Sequence, residues 1–214
     1  MSKTTPKKST QSRSSKRFIL ASGSPRRIEL LRNAGITAEV CPPDVDETVK
    51  PGEKPSALVK RLARSKARAI QKGQLQQKTG AVILAADTIV VAPDGTTILG
   101  KPRNQSEAFR MLTMIAGETH LVLTGYCILR QDRQGHVVEW TRVVKTKVEM
   151  RALSAKQIKD YIATEEPADK AGSYAAQGIG MGLIRKISGS YTNVVGLPLA
   201  EVMDDLAEEF GFHP

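Results

Sequence analysis

The chain has 214 residues, 40% of them hydrophobic and 25% charged, with 17 Gly, 11 Pro and two Cys. This composition excludes a fully disordered chain, a collagen-like repeat and a disulfide scaffold, and the length suits one sizeable domain or two small lobes sharing a cleft. The net charge of +10 invites a nucleic-acid reading, but five of those charges (Lys3, Lys7, Lys8, Arg13 and Lys16) sit in an acid-free tail over residues 1–16.

That tail is Ser/Thr-rich without apolar periodicity, so it is expected to be disordered. It reads as a solvated extension; weak contact with nucleic acid or another acidic surface, or a transit peptide, are the alternatives. The domain is expected over 17–214. Arg17–Ala21 is a short apolar run that reads as a buried strand. Ser22-Gly23-Ser24 breaks it, and Pro25 opens a helix with Ser24 as N-cap, Ile28, Leu31 and Ala34 inward, and Gly35 as the stop. Thr37–Cys41 reads as a second strand, followed by the Pro42-Pro43 breaker and the acidic loop Asp44-Val45-Asp46-Glu47. A helix after Pro55-Ser56 stacks Leu58, Leu62, Lys66 and Ile70 at i+4 spacing. Ala81–Val91 reads as a strand buried on both faces, turned by Pro93-Asp94-Gly95 into Thr97–Gly100. Asn104 caps the next helix, with Glu107 at the capping-box position and Met111, Leu112 and Ile115 inward. Leu121–Leu129 and Val137–Met150 are two long strands. Ser154 caps a helix over Ala155–Ala163, and a glycine-rich stretch over 172–196 precedes a last helix, Pro198–Phe210. The order implies an α/β fold with one main sheet. No apolar stretch approaches ~18 residues and no signal segment opens the chain, so a cytoplasmic protein without a membrane span is expected. Cys41 and Cys127 exclude a Cys-based zinc site and suit two buried thiols in a reducing compartment better than a disulfide.

Three places carry chemistry. In Ser22-Gly-Ser-Pro-Arg-Arg27 a strand ends in small residues, and a helix starts with two arginines in its first turn. Arginines there add to the positive end of the helix dipole, which is unfavourable unless an anion binds; a solvent-facing first turn is the alternative. Asp87 interrupts an apolar strand, and Lys66 occupies the inward stripe of its helix. Each has a bland explanation (a strand-end turn, a snorkelling lysine), but together they favour a charged cleft. Lys101, in a sharp turn between Gly100 and Pro102, is a weaker member. The acidic loop could hold a hard cation through oxygen ligands, or simply be solvated. GxxxxGK[ST], GxSxG and GxGxxG are all absent, and His120, His136 and His213 give no metal spacing.

LASGSPRR (20–27), DVDET (44–48), RLARSKA (61–67), AADTIVV (85–91), LGKP (99–102), DKAGSYAAQG (169–178) and GSYTNVVGLPL (189–199) together resemble the Maf family of nucleoside triphosphate pyrophosphatases, from about Phe18 to Gly211. The resemblance implies a mixed, twisted central sheet with helices and two lobes around a deep nucleotide cleft, a fold similar to that of inosine triphosphate pyrophosphatases. It also implies cleavage between the α- and β-phosphates to a monophosphate and pyrophosphate, with a divalent cation, magnesium or manganese. One branch carries arginine after the SxSP proline, threonine after the catalytic aspartate and glutamine in the late motif, and is associated with dTTP and UTP. Another, with tryptophan, glutamine and glutamate there, is associated with 7-methylated GTP. Arg26, Thr88 and Gln177 match the first.

The resulting expectation is a dTTP/UTP pyrophosphatase of nucleotide-pool housecleaning. Asp87 is the proton acceptor or a ligand of the cation, Glu47 the second carboxylate at the metal, and Lys66 a catalytic cation. Ser22, Ser24, Arg27 and Lys101 bind the triphosphate with backbone N–H groups of 23–26, and Arg26, Thr88 and Gln177 read the base. The expected partners are the nucleotide and a second copy of the chain. The rivals are a septum-formation regulator and a nucleotide sensor using the same pocket without turnover.

Overall fold

The computed structural model describes residues 17–74, 80–132 and 134–213, so the tail over 1–16 lies outside the described residues. The first strand, β1 (Phe18–Ala21), is buried throughout, and α1 (Pro25–Asn33) starts with Pro25 at its first position. Ser24 stands at the N-cap as expected, but its side chain makes no capping bond; its N–H instead goes to Ser22 Oγ at 3.2 Å. Gly35 follows the helix at φ +80°, a conformation that favours glycine. The second strand, β2 (Glu39–Val40), is shorter than the run Thr37–Cys41 suggests, because it is an exposed edge paired only to β1.

Helix α2 (Pro55–Gln74) buries Leu58, Leu62, Lys66 and Ile70 on one stripe, as the i+4 spacing predicts. The central strand, β3 (Val82–Val91), turns through Asp94, whose carboxylate accepts the Thr96 and Thr97 N–H groups, into β4 (Ile98–Leu99). On α3 (Gln105–Ile115) Asn104 caps the Glu107 N–H at 2.9 Å. The reciprocal half of the capping box is not made, because the Glu107 carboxylate accepts the Arg103 N–H instead. Strands β5 (Thr119–Gln131) and β6 (Val137–Met150) form a long hairpin, and α4 (Ala155–Ile162) carries a complete Ser154–Gln157 capping box. The glycine-rich stretch, whose spacing predicts no element, contains β7 (Ile184–Ser188) and α5 (Tyr191–Val195) before α6 (Leu199–Phe210). Their local signals are weak: five residues each, with polar and charged positions along β7 that periodicity does not resolve.

The strands form one seven-stranded mixed sheet in the order β2-β1-β3-β5-β6-β7, with β4 also on β3. β1 runs parallel to β2 and β3, and the remaining pairs are antiparallel. Alternation along β3 assigns its faces. Ile83, Ala85, Ile89 and Val91 pack toward α2. On the other face Leu84 and Ala86 join Leu31, Val202 and Leu206 of α1 and α6, whereas Val90 joins Met111, Leu112, Ile158 and Tyr161 of α3 and α4. The apolar clusters part at Asp87 on one face and at Thr88 on the other. β1 pairs with β3 only as far as Ala85, and β4 begins at Val90. Residues 86–89 are thus left with an open edge, and the cleft lies there.

One glycine sets how closely α2 approaches. Gly125 is the β5 partner of Asp87, and a Cβ on it would lie 2.4 Å from the Val59 carbonyl oxygen of α2. Gly125→Ala is therefore expected to push α2 outward and lower stability by about 1–3 kcal/mol, read from the midpoint of urea unfolding. It should also slow any reaction that needs Lys66 against Asp87. An unchanged midpoint would show that the helix yields without strain.

Candidate active site

A cleft of ≈ 670 Å³ opens at the β3 gap, and Ser22, Ser24, Arg26, Arg27, Glu47, Lys66, Asp87, Thr88, Lys101 and Gln177 all line it. Residues far apart in sequence and predicted separately thus share one cavity. At its floor, Lys66 and Asp87 are each 8% exposed. The Lys66 ammonium donates to Asp87 Oδ1 at 2.7 Å and pairs with Glu47 Oε1 at 2.6 Å. Buried charges persist only when paired, and here two carboxylates converge on one cation. Asp46, in the same acidic loop, turns away from this pair to accept the Thr48 N–H at 2.9 Å.

The two arginines of the helix start do different things. Arg27 is buried and turned into the protein. Its Nε donates to Gly196 O at 2.8 Å, its Nη1 to Ser22 Oγ at 3.1 Å and Ala86 O at 2.9 Å, and its Nη2 to Thr88 Oγ1 at 3.0 Å. Burial lowers its pKa from the usual arginine value, partly offset by the Asp87 charge. One of its five N–H groups remains for a ligand, so its geometry is that of a brace across the open edge of β3. Arg26 stands at the rim, 3.7 Å from Asp169. Of the amides over 23–26, Pro25 has no N–H and that of Ser24 goes to Ser22, which leaves Gly23 and Arg26 to meet an anion.

Thr88 lies on the face of β3 opposite Asp87, as alternation requires. Its hydroxyl accepts from Arg27, bonds Thr124 Oγ1 at 2.9 Å and donates to Gly196 O at 3.2 Å. Thr88 also lines the cleft, so it can meet a ligand itself as well as fix Arg27 and the Gly196 loop.

The opposite wall holds Lys101 after β4, then Lys170, Tyr174 and Gln177. Neither Lys170 nor Tyr174 stands out in the sequence as a site residue. Their only cue is a lone lysine and tyrosine in the otherwise small-residue run Asp169–Gly178. Lys170 pairs with Asp169. Tyr174 is buried, and its hydroxyl bonds His120 Nε2 at 2.8 Å, while His120 Nδ1 is buried without a partner among the described residues. Burial lowers the His120 pKa to about 4. Above pH 6.5 the imidazole is neutral in folded and unfolded chains alike. Between there and pH 4 only the unfolded chain gains the proton, so stability falls with falling pH, by on the order of 3 kcal/mol. Urea midpoints at pH 7 and 4.5 check this: His120→Phe should show a shallower fall than the wild type. Equal falls in both would mean the imidazole is protonated in the fold.

Cys41 and Cys127 are both buried, and burial pushes the Cys127 thiol up to about 12. No helix among the described residues is long and apolar enough to cross a membrane. The family model described as "Maf-like protein" matches residues 17–209. A dTTP/UTP pyrophosphatase of Geobacter sp. (strain M21) is 50% identical over 189 residues, 88% of this chain and 93% of the relative. A dTTP/UTP pyrophosphatase of Anaeromyxobacter sp. (strain Fw109-5) is 47% identical over 188 residues, 88% of this chain and 87% of the relative. A solved nucleoside-triphosphatase / dITP/XTP pyrophosphatase from Mycobacterium abscessus shares 15% identity at a TM-score of 0.39, covering 64% of this chain and 75% of its own; at that level it adds nothing to the fold described above. The agreement runs from β1 to α6 and takes in every segment that lines the cleft, so the chain belongs to the Maf family.

Proposed function

We propose that this protein hydrolyses dTTP and UTP to the monophosphate and pyrophosphate. The single observation that carries the reading is the buried Lys66–Asp87 pair, joined from the cleft side by the exposed Glu47 carboxylate, in a cleft rimmed by further cations. The names of the relatives supply the base and the reaction class. Water attacks the α-phosphorus and gives its proton to Asp87, whose Oδ1 is held by Lys66, leaving Oδ2 for the water. The new P–O bond forms as the bond to the bridging oxygen breaks, and pyrophosphate departs with the developing charge. Lys66, Lys101, Lys170 and Arg26 balance that charge, with the Gly23 and Arg26 amides. Arg27 holds Ser22, Ala86 and Gly196 in register around the phosphates.

The donor set fits a divalent cation. Two carboxylates already meet at a single positive charge, and among the described residues no third His, Cys, Asp or Glu joins them. Mg²⁺ or Mn²⁺ is suited by one or two carboxylates completed by substrate phosphates. Asp87 and Glu47 would hold it. When bound it supplies Lewis-acid polarisation of the phosphate and an activated water. A cytoplasmic location and a homodimer complete the reading.

The test is turnover of a triphosphate panel with pyrophosphate and orthophosphate measured separately. Pyrophosphate appearing in step with the monophosphate supports the reading. Orthophosphate as the first product would place the cleavage elsewhere, and tight binding without product would make the protein a sensor.

A further inference from the structure

Gln177 lines the cleft at the start of a glycine-rich turn, and among the described residues its side-chain amide has no hydrogen-bond partner. A glutamine amide selects a base more sharply when its direction is held before the ligand arrives, because less ordering is left to do on binding. The holding group lies one turn away. The Glu166 carboxylate accepts the Ile179 N–H at 2.8 Å, the Gly180 N–H at 2.7 Å and the Tyr161 hydroxyl at 2.7 Å. The same Tyr161 hydroxyl accepts the Ala175 N–H at 3.1 Å. On the far side, Tyr191 donates to Ala176 O at 3.1 Å. The backbone on both sides of Gln177 is thereby fastened: the Glu166 carboxylate holds the later side directly and Ala175 through the Tyr161 hydroxyl, and Tyr191 holds Ala176.

The glycines show how closely the turn wraps that group. Gly178 has φ +71°, and a Cβ there would lie 2.1 Å from Glu166 Oε1; a Cβ on Gly180 would lie 2.4 Å from Ala175 O. Glu166 itself does not line the cleft, so it acts on a bound ligand only through the turn it holds. We propose that Glu166 is the positioning residue for base selection: its carboxylate sets the 178–180 turn and so aims the Gln177 amide. The inference rests on the assignment of Gln177 to the base made above.

The experiment measures kcat and KM for dTTP, UTP, GTP and ATP in the wild type, Glu166→Gln, Gln177→Ala and the double variant, with a thermal melt of each. The readout is the ratio of kcat/KM between the triphosphates that the wild type uses best and worst. Glu166→Gln has one acceptor oxygen where the carboxylate has two, so the turn loosens. The ratio is expected to fall roughly tenfold, mainly through KM of the best substrate. On the Gln177→Ala background Glu166→Gln should add nothing, the signature of two residues acting as one. A lowered melting point with all four substrates slowed alike overturns the inference, as does a full further loss in the double variant. If Gln177→Ala lowers the ratio and Glu166→Gln does not, the inference falls alone. If Gln177→Ala leaves the ratio unchanged, the base assignment falls and takes the inference with it. A wild type that favours other bases changes the pair of substrates and not the test, and one that does not discriminate overturns the inference. Should Glu166→Gln fail to fold, Tyr161→Phe removes the hydroxyl between Glu166 and Ala175 and is held to the same outcomes.

Discussion

Asp87→Asn is expected to reduce turnover at least ~100-fold while the protein stays folded. The amide fills the same space on β3, and its oxygen can still accept from Lys66, so packing between α2 and β5 survives. What is lost is the anionic oxygen that takes a proton from water or holds a cation. Those two roles separate in one titration. Loss of a cation ligand raises the Mg²⁺ or Mn²⁺ concentration needed for half-maximal residual rate; loss of a base lowers the rate at every concentration alike. Glu47 does not replace Asp87, because its side chain is 60% exposed where that of Asp87 is 11%. Near-normal turnover in a folded Asp87→Asn protein would sink the assignment.

Asp87 and Lys66 were legible in the sequence because each violates an apolar pattern. A carboxylate inside Val82–Val91 and a lysine in the stripe Leu58-Leu62-Ile70 carry a desolvation penalty that nothing local relieves. The structure supplies the missing half of each argument by placing them 2.7 Å apart. Arg27 was legible only as a cation at a helix start. That its guanidinium faces inward depends on the sheet gap between Ala85 and Val90, a matter of strand register which periodicity does not encode. The hydroxyl partners of Thr88 were hidden for the same reason. β7 and α5 were hidden because pairing with β6 and packing against β5 and β6, rather than local propensity, form them. Glu166 is the extreme case: in the sequence it is an ordinary acid before a proline, and only the folded turn around it shows what it holds.

Base choice is where the sequence pattern and the geometry bear on one another most closely. The wild type is expected to prefer dTTP and UTP strongly over ATP and GTP, and to discriminate weakly between dTTP and UTP. The asymmetry follows from how pockets select. A site that hydrogen-bonds an edge rejects a ligand that leaves its buried groups unpaired far more strongly than an apolar pocket rejects an extra methyl, which changes affinity only ~10–200-fold. The Gln177 amide offers a donor and an acceptor, as a pyrimidine edge requires. Thr88 lines the cleft, and its hydroxyl ties that wall to Gly196 O, Arg27 and Thr124. Gln177→Glu removes the amide donor and places a carboxylate just before the Ile179 and Gly180 amides that the Glu166 carboxylate already accepts. It should lower kcat/KM for dTTP and UTP at least ~100-fold, the scale of an unpaired buried group plus a misplaced charge. Product analysis should still find pyrophosphate on whatever substrate binds, because Lys66, Asp87 and Glu47 are untouched. A Gln177→Glu protein with wild-type kinetics on UTP, or a wild type that uses GTP or 7-methyl-GTP as well as UTP, would remove the base assignment from Arg26, Thr88 and Gln177. It would leave the chemistry at Asp87 standing.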